Sequence, residues 1–237
     1  MNELVKVFGR AARDLTRAGV LWHAIWPALV SALLWVTVAI VVWADGVAAM
    51  DRVLPSLPWS GWELIARWAA VFLLLAGFAT LTYVTALMLV AVVALPLLIT
   101  RIAARDYPDL VRRGENVFMG SLGNTLLAGL IFVVGGLATL PLLLLPGVIL
   151  VLPLAWAAWL NQRTFRFDAL AEHATRAELK QLVSEQRGSF LGAGIGTAII
   201  AHVPLLNILA PTFTAVVFVH LGLGALRRLR STQGVQL

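Results

Sequence analysis

Long apolar stretches separated by short polar ones set the plan of the chain. Residues 20–44, "VLWHAIWPALVSALLWVTVAIVVWA", predict a first membrane-spanning helix, with tryptophans 22, 26, 35 and 43 lying mostly toward its ends, as an aromatic belt requires. Residues 45–62 carry turn residues and two aspartates and predict a loop. Residues 63–100 predict a second spanning helix. At ~1.5 Å per residue it would reach ~57 Å against a hydrocarbon core of ~30 Å, so it projects beyond the lipid or bends, with Pro96 the expected bend. Two further apolar segments, 117–160 and 188–226, are interrupted: the first by Gly135, Gly136, Pro141, Pro146 and Pro153, the second by Pro204, Asn207 and Pro211. Residues 3–17 alternate at helical spacing. Leu4, Val5, Phe8, Ala12 and Leu15 fall on one side and Lys6, Arg10, Arg13 and Arg17 mostly on the other, which predicts an amphipathic helix lying on the membrane surface in preference to a solvated basic terminus. Residues 101–116 are polar, 161–187 read as one polar cytoplasmic helix, and "RRLRSTQGVQL" is a basic tail.

Composition turns this pattern into a class. Of 237 residues, 60% are hydrophobic and 13% charged, about half the usual charged share of a soluble domain, and mean hydropathy is +0.90. No soluble core hides that much apolar surface, so the expectation is an all-α integral membrane protein with a single membrane domain over 1–237. There is no cysteine, which excludes disulfides and thiolate sites, and the first 19 residues do not read as a removable signal peptide. The net charge of +6 does not point to nucleic acid, because the positive residues sit at the ends of apolar segments, where they touch lipid headgroups.

The distribution of charge predicts the topology. Sixteen of the eighteen Lys and Arg residues fall in the N-terminal segment, 101–116, 161–187 and the tail; only Arg52 and Arg67 belong to the 45–67 region. The positive-inside tendency then places 45–62 outside and both termini in the cytoplasm. Segments 117–160 and 188–226 must each leave and return on the same side, as two full spans or as two shallower arms. Proline-rich tips favour re-entrant arms, since non-helical backbone at depth survives only when buried in protein or lining water. In the last segment Pro204 and Pro211 would end one half-helix and begin the next, with Asn207 satisfying backbone groups between them.

The chemistry available is sparse. No apolar segment holds a carboxylate away from its edge, and no hydrolase, metalloprotease or phosphate-loop signature is present, so no enzyme is expected and no catalytic residue is assigned. Gly188, Gly192 and Gly196 recur every four residues and predict close helix packing. His23, His173, His202 and His220 do not form a metal-ligand pattern, so no metal or other cofactor is expected. Thr80, Thr82, Tyr83 and Thr85 place hydroxyls mid-span, bonded back to their own helix rather than lining a pathway. Half-helix N-termini and basic rims suit an anion.

Four stretches, in order, resemble the CysZ-like sulfate permeases of bacterial inner membranes: "RAGVLWHAIWPALVSALLW" (17–35), "VALPLLITRIAARDYPDL" (93–110), "FRFDALAEHATRAELKQLVSEQRGSFLGAG" (165–194) and "HVPLLNILAPTFTAVVF" (202–218). The last is the most specific, with Pro204, Asn207 and Pro211 in register. The resemblance implies two long spanning helices, two partly penetrating hairpins, assembly into dimers or larger oligomers, and passive sulfate entry. It also implies an anion site where the first long helix begins. There this chain departs: the stretch reads Gly19-Val20-Leu21-Trp22, with leucine and tryptophan where the family places arginines. Gly19, Val20 and Leu21 are carried over as backbone positions, flanked by Arg17 and His23, and the last hairpin tip is the expected pathway wall. The expected partners are membrane lipids, a small sulfate-like anion and further copies of the chain. The competing reading is a non-transporting scaffold or lipid-organising protein of the same fold.

Overall fold

The computed structural model describes residues 2–53, 61–115 and 117–234, and every regular element among them is helical. In chain order these are α1 (Asn2–Leu15), α2 (Ala18–Val53), α3 (Trp62–Leu89), a π-helical segment (Val90–Ala94), α4 (Leu95–Asp106), α5 (Val117–Thr139), a 3-10 segment (Leu140–Leu144), α6 (Val148–Ala171), α7 (Arg176–Glu185), α8 (Arg187–Ala201), α9 (Pro204–Asn207) and α10 (Ala210–Gln233). Four stretches are long and apolar enough to cross a membrane: Ala18–Ala49, Trp62–Asp106, Met119–Leu144 and Ala210–Gln233. The chain is an all-α, multi-pass membrane protein. It divides into two compact units, residues 22–94 and the remainder.

In the 22–94 unit, α2 and α3 lie antiparallel. Ser31 Oγ donates to the Thr82 carbonyl at 2.5 Å, Trp35 Nε1 donates to Thr85 Oγ1 at 2.9 Å, and Gly46 faces Leu74. Thr80 and Thr82 return their hydroxyls to the carbonyls of Ala76 and Phe78, while Thr85 is engaged by Trp35. Only 11% of the most apolar α2 window is buried, and Leu33, Ile40, Val41, Trp68 and Phe72 are exposed, a surface that lipid covers and water would not tolerate. Helix α2 runs on through Asp45 and Gly46 to Val53, so the loop expected over 45–62 starts later; 54–60 of it lie outside the described residues. Residues 47–50 do not oppose helix, and after Pro27 the sequence holds no proline until Pro55. The irregularity expected at Pro96 falls just upstream, at Val90–Ala94. Pro96 cannot donate to the Val92 carbonyl and its ring crowds it, and a π turn relieves both.

The larger unit is organised around α10. Its apolar window is 83% buried, and Thr212 to Leu223 is buried without a break, so this membrane-length helix is the core of a bundle. Phe218 stacks on both Phe165 and Phe190, at 6.2 and 6.3 Å between centroids. Helices α5 and α6 form one hairpin. It turns at Leu145–Val148, with the Val148 amide on the Leu145 carbonyl at 3.1 Å, Pro146 second and Gly147 third at φ +82°, a conformation glycine adopts without strain. Gly135 makes room for the Trp156 ring in this hairpin. Helices α8 and α10 form the other, with α9 at the tip.

Helix α1 packs on the bundle: Val7, Ala11 and Asp14 are buried, while Val5 and Ala12 face outward. Leu4 and Phe8 seat over Gly192 and Gly196 of α8, where an added Cβ would come within 2.9 and 2.6 Å of them, and Phe8 packs edge-on against Phe213. Gly192 and Gly196 thus make room for α1, whereas Gly188 has open space beside it; Gly194, on the opposite face, fits against the Ala158 carbonyl. The polar stretch 161–187 is not one helix. Its first part continues α6 to Ala171, and α7 begins anew at a capping box in which Thr175 Oγ1 accepts from the Glu178 amide and the Glu178 carboxylate accepts from the Thr175 amide.

Candidate functional site: an arginine-lined cleft

The polar end of the larger unit contains a cleft of about 470 Å³ lined by Arg10, Arg13, Asp14, Arg17, Arg105, Asp106, Tyr107, His220 and Arg227. Three elements supply it. Helix α1 presents Arg10 and Arg13 from its polar face and Asp14 from its buried one, α4 ends in Arg105-Asp106, and α10 contributes His220 and Arg227. Five arginines against two aspartates leave an excess of three positive charges. Arg10 and Arg13 have no carboxylate partner among the described residues.

Asp14 is the hub. Its side chain is 6% exposed and accepts from Arg17 at 2.7 Å, Arg105 at 2.7 Å and His220 Nε2 at 2.9 Å. Arg105 also grips Asp106 with two parallel bonds, at 2.7 and 2.6 Å. On its other side, the His220 ring meets the Tyr107 hydroxyl at 3.3 Å, and that hydroxyl lies 3.2 Å from the His220 carbonyl. Burial pushes the Tyr107 phenol up, so it stays protonated and available as a donor. Arg227 lies 5.0 Å over the Tyr107 ring and is ion-paired to Asp109. Arg17 and Arg105 remain partly open to the cleft, at 55% and 37% exposure.

Ligand atoms of Asp14, Asp106 and His220 all lie within 4.8 Å of one another, a spacing a cation accepts. The surrounding chemistry opposes one. Both carboxylates are already held by guanidinium groups, and any cation there would sit among five arginines. The same groups suit a tetrahedral oxyanion, whose oxygens take several N–H donors at once.

Of the residues singled out from sequence, Arg17 lines the cleft. The Val20 and Leu21 amides both donate to the Arg17 carbonyl, at 2.9 and 3.0 Å, so the expected backbone donors are in use as the first turn of α2. Gly19 lies against the Arg101 guanidinium, 3.4 Å from where its Cβ would stand, so α4 brings an arginine to the place where the sequence itself reads leucine and tryptophan. Among the described residues Arg101 has no ion-pair partner. His23 is buried in the other unit. His202 bonds back to the Ala198 carbonyl at 2.7 Å. At the hairpin tip, the backbone closes on itself through Leu206, Asn207 and Leu209 amides donating to Val203 and Leu206 carbonyls, so Asn207 is not needed as a backbone cap and its residue is exposed. Pro204 opens α9 and Pro211 sits in the first turn of α10.

Asp14, Arg105, Asp106, Tyr107 and Arg227 were not singled out. One signal was present: Asp14 stands at i+7 from Val7 and i+3 from Ala11, on the face that packs inward. An acid on such a face needs a partner, and the partners come from 91 and 206 residues away, a pairing no local pattern reveals.

Behind the cleft, Arg230 is fully buried. It donates to Glu178 at 2.8 and 3.2 Å, to the Val111 carbonyl at 2.9 Å and to the His173 carbonyl at 2.8 Å, tying α10 to α7 and to the segment after α4. These bonds outweigh the burial that would push the Glu178 carboxyl up and hold it below its ordinary value; burial pushes His173 down.

A family model described as sulfate transporter CysZ/etoposide-induced protein 2.4 matches residues 7–211. No curated protein matches the chain.

Proposed function

The chain belongs to the family of the sulfate transporter CysZ and etoposide-induced protein 2.4, and on that premise we propose that it is a passive pathway for sulfate or a similar oxyanion across a bacterial inner membrane. The observation that carries this reading is the cleft with five arginines against two aspartates. The excess charge concentrates anions at the mouth. Arg17 and Arg105 are the exchangeable donors: they are part-exposed, and an arriving oxyanion takes over bonds now made to Asp14 and Asp106. Those carboxylates also limit how tightly the anion is held, which conduction requires, because a site that binds too well does not release.

In this reading Arg101 beside Gly19 and Arg17 do the work of the arginines missing at Leu21 and Trp22. The α8–α10 tip, with Asn207 exposed, forms the far wall. Both termini and the polar segments face the cytoplasm, the two hairpins leave and return on that side, and copies of the chain associate through the apolar faces of their helices. The pathway uses no cofactor and makes or breaks no bond.

Labelled sulfate uptake into liposomes carrying the purified protein tests the proposal. Uptake well above empty liposomes is expected. A folded protein that leaves uptake at the empty-liposome rate would instead be a membrane scaffold.

A further inference from the structure

Away from the cleft, three arginines gather without an acidic partner where α6 meets the base of α8. Arg163 and Arg166 are three residues apart on α6 and therefore neighbours on one helix face. Arg166 reaches across to α8, its guanidinium carbon 5.6 Å above the Phe190 ring, while its NH1 donates to Gln162 at 2.8 Å. Arg187, the first residue of α8, precedes Phe190 by three and shares its face. Arg163 lies 5.6 Å over the Trp159 ring, and its Nε is shut off from solvent with no acceptor.

None of the ion pairs among the described residues involves these three. The carboxylate on this part of α6, Asp168, is taken by Ser121. Burial, then repulsion from Arg163 and Arg187, lowers Arg166 to about 10. Three clustered cations, one of them substantially desolvated, cost free energy when empty and gain it when a multivalent anion joins. The aromatic faces hold two guanidinium planes in place and leave their N–H edges for oxygen. The α8 N-terminus, where Gln186 makes no side-chain cap bond, adds its own positive end. From Arg187 an exposed apolar ridge, Leu191, Ile195 and Ile199, runs along α8 at four-residue steps. A charged head at one end of an apolar ridge has the form of a phospholipid.

We propose that Arg163, Arg166 and Arg187 form a binding site for a phosphate-class anion, the phosphate of an anionic phospholipid or free phosphate. The test uses the full chain in nanodiscs of phosphatidylcholine with and without phosphatidylglycerol, read by native mass spectrometry of retained lipid, and in detergent with inorganic phosphate, read by thermal shift. Wild type is expected to retain phosphatidylglycerol over phosphatidylcholine, or to be stabilised by phosphate. Losing a charge-assisted bond weakens binding about tenfold, so Arg187→Gln and Arg163→Gln/Arg187→Gln should lose that retention or that shift. Arg187 is exposed, so its variant keeps the test valid if Arg166→Gln, packed on Phe190, fails to fold. Retention of phosphatidylglycerol with no phosphate shift identifies a lipid site; the reverse identifies a soluble anion. Equal retention and equal shift in wild type and the double variant, or no preference and no shift in wild type, would overturn the proposal.

Discussion

Replacing Asp14 with asparagine separates the two roles of its carboxylate, because it moves stability and anion affinity in opposite directions. Three charged or chargeable donors converge on that carboxylate at 2.7 to 2.9 Å, and only 6% of its side chain is exposed. Asparagine keeps the shape and one acceptor but removes the charge. Breaking a buried pair on one side costs about 3–5 kcal/mol. Arg105 keeps Asp106 and Arg17 is open to water, so the lower end, about 3 kcal/mol, is expected here. The cleft meanwhile goes from an excess of three positive charges to four. A space of about 470 Å³ has a radius of roughly 5 Å, so an anion at its centre sits about that far from its walls. At 5 Å a unit charge is worth ~0.8 kcal/mol in water-like dielectric and ~3 kcal/mol at an effective value of 20. Even the smaller figure, per unit of anion charge, is about a fourfold gain in affinity. The assay is sulfate concentration dependence of uptake in proteoliposomes, alongside thermal unfolding of the same preparation. Asp14→Asn should unfold earlier and half-saturate at several-fold lower sulfate, with the difference shrinking at high salt. Unchanged or weaker half-saturation in a folded variant would refute the cleft as the seat of the anion.

Other consequences are structural. Arg230→Met leaves the Glu178 carboxylate without its cation and removes a donor from the Val111 and His173 carbonyls; a loss of about 3–5 kcal/mol is expected, a drop in unfolding temperature on the order of 10 °C, with part restored by adding Glu178→Gln. Gly196→Val sets a side chain where 2.6 Å separates the new Cβ from Phe8, and should cost about 1–3 kcal/mol and loosen α1 toward protease, with Phe8→Ala in the same chain relieving it. Acid should destabilise the fold in two stages. His173, with its proton affinity lowered, withdraws stability as pH falls below its ordinary 6.5, when only the unfolded chain takes the proton. Glu178, also lowered, withdraws it as pH falls below its ordinary 4.5. Unfolding temperature measured against pH in wild type, His173→Gln and Glu178→Gln separates the two limbs.

Much of the fold is legible in the sequence because burial in lipid leaves a blunt signal: long apolar runs, prolines at the tips, and a Pro-Gly pair where α5 turns into α6. The Pro204-Asn207-Pro211 spacing marks the second tip, even though backbone turns do the capping expected of Asn207. Amphipathicity alone does not say what α1 packs on: the same apolar stripe suits a membrane surface or a glycine-lined groove, and the seating of Leu4 and Phe8 on Gly192 and Gly196 is not written in it. The cleft was legible only in part. Arg17 was visible as a basic residue beside the first long helix, but Asp14 with Arg105 and His220 depends on contacts across most of the chain. The capping box at Thr175, by contrast, is written locally as Thr-x-x-Glu and explains why the polar stretch is two helices.

The central claim, that unpaired arginines in the cleft draw an oxyanion through the protein, is tested most directly by sulfate flux with Arg10 and Arg13 neutralised. Neither side chain has a carboxylate partner among the described residues, so Arg10→Gln/Arg13→Gln should fold as the wild type does while removing two of the five charges. At ~0.8 kcal/mol or more for each, initial uptake at low sulfate should fall by at least about tenfold. Uptake equal to wild type from an equal amount of folded protein would contradict the account.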